Sequence, residues 1–311
     1  MNFSESAQSK YPEVEEQSQG NISKALNKMA EGKFGYEAST TCASPSANYF
    51  WYRKRQEVIK ICTRNLYDLL KSTDTSENPS LFVDIGCGDG TDLFLIHNLF
   101  VKHSSAWKFI GLEANTDLVQ ICKMKQEYYK ASGVDFMFSN AISKLPFSDG
   151  EVNLVYCSEV IEHILEPEAL FQEIKRVLKP GGYLLLTTPN QPNVFQRSYW
   201  INSRRQKMQE TMQAMKVQPE KLHQPGGEEI CIYGHISLKN NQEWDEILSK
   251  IGFQVVDNGR GALTYGGTYF YDNEFILGIH FLLQSLLDLL PRKLGRNFSD
   301  QLICLYKVKD S

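Results

Sequence analysis

No C-x-x-C pair occurs in this chain of 311 residues, although it carries seven cysteines, at positions 42, 62, 87, 122, 157, 231 and 304. Scattered thiols argue against a zinc ribbon and against a disulfide framework. No dense stripe of lysine and arginine is present, and the net charge is only −4, so the electrostatic footprint of a nucleic-acid binder is missing. The longest apolar run, Phe275 to Leu290, is broken by Gly278, His280, Gln284, Ser285 and Asp288. It is too short and too polar to span a bilayer, and no stable membrane insertion is expected. No secretory apolar segment opens the chain, which points to a cytoplasmic setting with free thiols. No His, Asp and Glu residues recur at metal-ligand spacing, so no metal is expected.

What is present is an alternation of short apolar runs with helical patterns. The first 45 residues are polar and read as an arm. Apolar spacing then predicts a helix from Tyr49 onward, through Val58, Ile61, Leu66 and Leu70. Strands are expected at 81–85, 107–112, 134–138, 152–157 and 183–188, with helices at 91–101, 116–131 and 167–178 between them. Pro180-Gly181-Gly182 reads as the stop of the last helix. Continuously apolar strands of this length suit a parallel sheet covered on both faces, a doubly wound α/β pattern. Residues 191–234 and 265–297 interrupt it as insertions, with helices expected near 196–216 and 274–290. A helix at 241–251 and strands at 253–256 and 301–308 complete the chain.

The most informative segment is Leu81-Phe-Val-Asp84-Ile-Gly86-Cys87-Gly88-Asp-Gly90. A buried strand runs into three alternating glycines, which tolerate positive φ and let backbone approach a ligand. The start of the next helix can receive polar ligand groups. The dinucleotide fingerprint would need its third glycine at position 91, where this chain has Thr. Glu113 closes the second strand, 23 residues after Gly90. An acidic residue there suits hydrogen bonding to ribose hydroxyls.

With Ser139-Asn140-Ala141 before Leu145-Pro146-Phe147, and Cys157-Ser158-Glu159-Val160-Ile161-Glu162-His163 before Leu178-Lys179-Pro180-Gly181-Gly182, the block 81–190 resembles the class I S-adenosylmethionine (SAM)-dependent methyltransferases, in their small-molecule branch. The resemblance implies a Rossmann-like seven-stranded sheet with an antiparallel last strand, carrying helical cap insertions over residues 46–311. It implies SAM as cofactor, held by Asp84, Gly86, Cys87, Gly88, Gly90, Glu113, Ala114, Asn140, Ala141 and Ser158. The family often has Asp where this chain has Asn140; an amide oxygen can still accept the adenine hydrogen bond.

For a hydroxyl acceptor the site needs a proton acceptor, and histidine suits that task near neutral pH. His163 follows the fourth strand, and His235 ends the first insertion, where the family commonly carries a His. Either could be the base; the alternative has both positioning loops or touching cofactor. Trp51 could lid the pocket and Arg53 or Arg55 meet a carboxylate, or this segment could start an amphipathic helix with its aromatics in the core. O-methylation of a small molecule (a natural product, or a lipid or glycan precursor) is the expected activity. Nitrogen or carbon acceptors, a non-catalytic SAM-binding partner and a nicotinamide oxidoreductase are the competing readings. In the 274–290 helix His280, Gln284 and Asp288 share one face and leave a wide apolar one. The helix is expected to pack or to mediate a homodimer, with a lid or a membrane-surface contact as the competing reading.

Overall fold

The computed structural model describes residues 45–71, 79–101, 106–139, 144–164, 166–190, 237–263 and 274–309. The expected polar arm, the 196–216 helix, Asn140, Ala141 and His235 lie outside the described residues.

Helix α1 (Pro45–Ile61) continues through a wider turn, Cys62–Leu66, into α2 (Tyr67–Lys71). There follow β1 (Ser80–Ile85), α3 (Thr91–Ile96), β2 (Trp107–Glu113), α4 (Thr116–Tyr129), β3 (Val134–Phe138), β4 (Val152–Ser158), α5 (Pro167–Val177) and β5 (Leu178–Pro189). Then come α6 (Asn241–Ile251), β6 (Phe253–Asn258), α7 (Glu274–Asp288), α8 (Arg292–Gly295) and β7 (Gln301–Val308). The seven strands form one sheet in the order β3-β2-β1-β4-β5-β7-β6; the first five run parallel, and β7 is antiparallel to both its neighbours.

Side chains alternate across each strand and feed two cores. Val83 and Ile85 of β1, Val155 and Cys157 of β4, and Cys304 and Tyr306 of β7 pack under α5 (Phe171, Ile174) and α6 (Trp244, Leu248). Phe82, Leu154 and Leu305 face the other way, against α1 (Val58, Ile61), α3 (Leu93, Phe94) and α4 (Val119, Cys122). Coverage on both faces is why these strands lack a polar side.

One boundary differs from the sequence expectation. The strand placed at 183–188 starts at Leu178, already paired with Val152. Pro180-Gly181-Gly182 therefore lies inside β5, and the register shift between Val152 and Leu154 takes up the extra residues, with Gly181 at φ +71°. Such a bulge lets proline and glycine sit within a sheet. Both insertions are rooted close to the carboxyl ends of the parallel strands. Asn190, directly after β5, bridges to Lys239, so the chain leaves and returns at one place.

Candidate functional site

The loop between β1 and α3 takes three successive left-handed glycines: Gly86, Gly88 and Gly90 have φ of +70°, +56° and +77°. At Gly86 the demand is also steric, because a Cβ would lie 2.4 Å from Val160 Cγ2. The amides of Gly86 and Cys87 both donate to the Leu112 carbonyl, at 2.8 and 3.0 Å, which ties the loop to the end of β2. Gly90 caps α3, and the amide of Thr91 is taken by Asp89 Oδ1 at 3.1 Å. Cys87 contributes main chain, not thiolate: its hydrogen bond with Cys122 and its burial push the thiol well above the ordinary range.

Glu113 ends β2 and faces this loop. Its Oε2 accepts from the Gly88 amide and its Oε1 from the Asn115 amide, both at 2.9 Å. Burial raises the carboxyl, while amide donors from Asn115, Gly88 and Ala114 oppose that rise. A bare-backbone cradle beside a half-buried carboxylate could receive a nucleoside, the carboxylate for paired ribose hydroxyls and the glycine amides for a charged tail. Asp84, at 2% exposure, lies two residues before the cradle in β1.

Beyond β4 the chain turns sharply. Glu159 is held at φ +55°, a costly conformation for a residue with a Cβ and one that tends to mark functional sites. Its amide donates to the Thr187 carbonyl at 2.9 Å, and its Oε1 accepts from Thr187 Oγ1 and Gln301 Nε2, each at 2.8 Å. Burial, with the Glu162 carboxylate behind it, pushes Glu159 up to about 7 from an ordinary 4.5, against the pull of Lys54. A helical turn, Ile161–His163, follows. Glu162 is buried and accepts from Thr188 Oγ1 at 2.9 Å; His163, with its side chain 41% exposed, has Nε2 3.8 Å from Glu162 Oε1. Ser237 donates from its amide to the Glu162 carbonyl at 2.9 Å and from its hydroxyl to the Ile164 carbonyl at 2.5 Å.

A polar cluster that sequence reasoning missed lies beneath the edge. Lys54 of α1 is 2% exposed, donates to Ser158 Oγ at 2.9 Å, pairs with Asp92 Oδ2 at 2.8 Å and stands 4.5 Å from the Trp51 ring centre. Asp92 also accepts from Arg55 Nε at 2.6 Å and Tyr156 OH at 3.0 Å. Burial opposes its ionisation, but Lys54 and Arg55 more than offset this and hold the carboxyl far below its usual range. The Ser158 hydroxyl shares a further bond with Thr187 Oγ1 at 2.8 Å, so it is engaged inside this cluster. Trp51 is buried as core, and Arg53 and Arg55 meet the protein's own Asp288 and Asp92. The available signal was helical phase: Lys54 shares the i, i+4, i+7 stripe with Val58 and Ile61.

The structure thus brings Asp84, Gly86, Cys87, Gly88, Gly90, Glu113, Ala114, Ser158 and His163 to the carboxyl edge of β1, β2 and β4. Ligands bind at that edge in open parallel sheets. Among the described residues no group of three or more His, Cys, Asp or Glu is arranged to hold a metal ion.

Comparison with known proteins agrees with this geometry. A family model described as a methyltransferase domain matches residues 79–252, more than half of the chain. An uncharacterised methyltransferase from Schizosaccharomyces pombe is 31% identical over 128 residues, covering 40% of this chain and 42% of that protein. An O-methyltransferase from Aspergillus nomiae is 26% identical over 134 residues, covering 43% and 57%. The chain spans 30% to 57% of the length of the curated relatives it matches. A solved [4+2]-cyclase, SpnF, has the same fold, with a TM-score of 0.53, 16% identity and 95% coverage of both chains. The matched domain takes in β1 through α6, including the glycine cradle and Glu113, and by that match the chain belongs to the SAM-dependent methyltransferases.

Proposed function

We propose that this protein transfers a methyl group from SAM to a hydroxyl of a small-molecule acceptor, with a histidine at the β4 edge taking the proton. The observation that carries the reading is the pairing of an exposed imidazole with a buried carboxylate, His163 Nε2 standing 3.8 Å from Glu162 Oε1. A carboxylate behind an imidazole orients the ring and favours the cation formed on proton uptake. Ser237, hydrogen-bonded to this same turn, is two positions after His235 in the sequence.

SAM supplies the electrophilic methyl group. The chain's part is to hold and align. The glycine amides and Glu113 would bind the cofactor, Asn140 and Ala141 would flank its adenine, and Ser158 with Asp84 would border its tail. Alignment of two bound reactants lowers the barrier by removing translational and rotational freedom in advance. The lengths of the insertions 191–234 and 265–297 would leave room for an acceptor larger than a metabolite fragment. The Aspergillus relative, named an O-methyltransferase, supports oxygen as the acceptor atom.

Incubation with methyl-labelled SAM and fractionated host extract, followed by mass spectrometry, tests this reading. The expected product is a methyl ether or ester, with turnover reduced ~100-fold or more in His163→Gln or His235→Gln. A label on nitrogen refutes the oxygen acceptor. Unchanged turnover in both variants refutes the histidine base.

A further inference from the structure

Helix α7 is turned inside out. A surface helix ordinarily buries its apolar stripe and shows its polar one to water. Here Gln284 and the part-buried Asp288 face inward beside Leu287, which is 6% exposed. Gln284 is 2% exposed; its Oε1 accepts from the Leu263 amide at 2.7 Å, and its Nε2 donates to Asp288 Oδ1 at 3.2 Å. Asp288 is clamped from inside by Arg53 Nη2 at 2.7 Å. Arg260 donates to the carbonyls of Asp288 and Leu290, which fixes the end of the helix.

The outward side is largely apolar, with Ser285 among its exposed residues. Leu282 is 62% exposed, Leu286 53%, Leu289 81% and Ile279 44%. Just beyond Leu289 and Pro291 the chain presents Arg292 and Lys293, both exposed, beside a half-exposed Leu294.

We propose that this face docks on an anionic lipid bilayer, with α7 lying in the interface plane. Three observations support that occupant. First, an apolar strip ending in exposed cations matches a surface that offers both acyl chains and negative headgroups. Arg292 touches Asp257 only at 3.8 Å, and Lys293 is exposed. Second, a helix of 15 residues is ~22 Å long and too short to cross the membrane, so it lies along the surface. Third, one face of such a helix buries on the order of 300 Å² per copy, well below the ~800 Å² per partner of a stable protein interface. A second copy of the chain, the occupant expected from sequence, is therefore disfavoured. The clamps from Arg53 and Arg260 hold the apolar side outward, tying the exposed face to the same α1 helix that carries Lys54. The proposal concerns location and does not depend on which atom is methylated.

Co-sedimentation of the full chain with vesicles tests it, using phosphatidylcholine alone or mixed with phosphatidylglycerol. Binding is expected on the mixed vesicles and is expected to weaken as salt is raised. Leu282→Asp with Leu286→Asp should lower the partition coefficient at least ~10-fold, since each aliphatic side chain would lose its apolar environment. Arg292→Glu with Lys293→Glu should lower it ~5-fold or more on mixed vesicles and little on neutral ones. Because the four side chains are exposed, melting temperature and S-adenosylhomocysteine affinity should stay unchanged in both variants. No vesicle binding by the wild type, or binding indifferent to the leucine variants, overturns the proposal. So does a dimer in sedimentation velocity that Leu286→Asp dissociates while vesicles capture nothing.

Discussion

Replacing Glu159 by Gln should make the protein more stable at pH 8 and leave it little changed at pH 4. Glutamine keeps the shape, and its amide oxygen can accept the same bonds from Thr187 Oγ1 and Gln301 Nε2. What it removes is a charge that the site disfavours. Burial and Glu162 raise the carboxyl to about 7 from 4.5, with Lys54 pulling the other way. Below the lower value both folded and unfolded chains hold the proton. Between ~4.5 and ~7 only the folded chain keeps it, so wild-type stability declines with rising pH across that window. The full difference corresponds to ~3 kcal/mol at pH 8. For a chain of this size that is roughly 6 °C in melting temperature. Urea titrations of wild type and Glu159→Gln at pH 4, 6 and 8 measure it. The stability gap should open between the first and last pH. A constant gap, or a variant less stable at pH 8, would refute the reasoning that burial and Glu162 hold this carboxyl protonated.

Asp92→Asn strands Lys54 without its buried partner and should cost ~3–5 kcal/mol at pH 7 by urea denaturation; adding Lys54→Met should recover part of the loss. Gly86→Ala forces a Cβ to within 2.4 Å of Val160 at φ +70°, so S-adenosylhomocysteine affinity should fall at least ~10-fold by calorimetry, and Val160→Ala should restore only part because the backbone strain remains. Glu113→Gln keeps only one of the two acceptor oxygens and sets an amide NH2 against the Gly88 or Asn115 N–H, so it should weaken the same ligand ~10-fold or more and also lower the ligand-free melting temperature.

Much of the fold was legible because periodicity reports burial directly. Strands such as β1, apolar at Leu81, Phe82, Val83 and Ile85, are apolar on both sides, and only a sheet covered on both faces needs that. The glycines and Glu113 were legible because their backbone and charge requirements leave few substitutes. The start of β5 was not, since Pro180-Gly181-Gly182 normally ends an element, and only pairing with Val152 keeps it in the sheet. Lys54 was hidden for a different reason. A lysine between two arginines resembles solvated charge, and its carboxylate partner lies 38 positions away at Asp92. Glu159 was overlooked because burial and Glu162 raise its carboxyl, and Thr187 and Gln301 hold it, only once the folded sheet brings these residues together. On α7 the sequence showed a polar stripe and an apolar one, but which faced inward depended on Arg53 and Arg260, distant in the chain.

The central claim is that Gly86, Gly88, Gly90 and Glu113 form a SAM cradle. Calorimetric titration of the full chain with S-adenosylhomocysteine, beside Gly86→Ala and Glu113→Ala, tests it most directly. One site per chain is predicted, weakened at least ~10-fold by either substitution, with no heat from NADH. Binding of NADH in place of the SAM product, or binding indifferent to both substitutions, would contradict it.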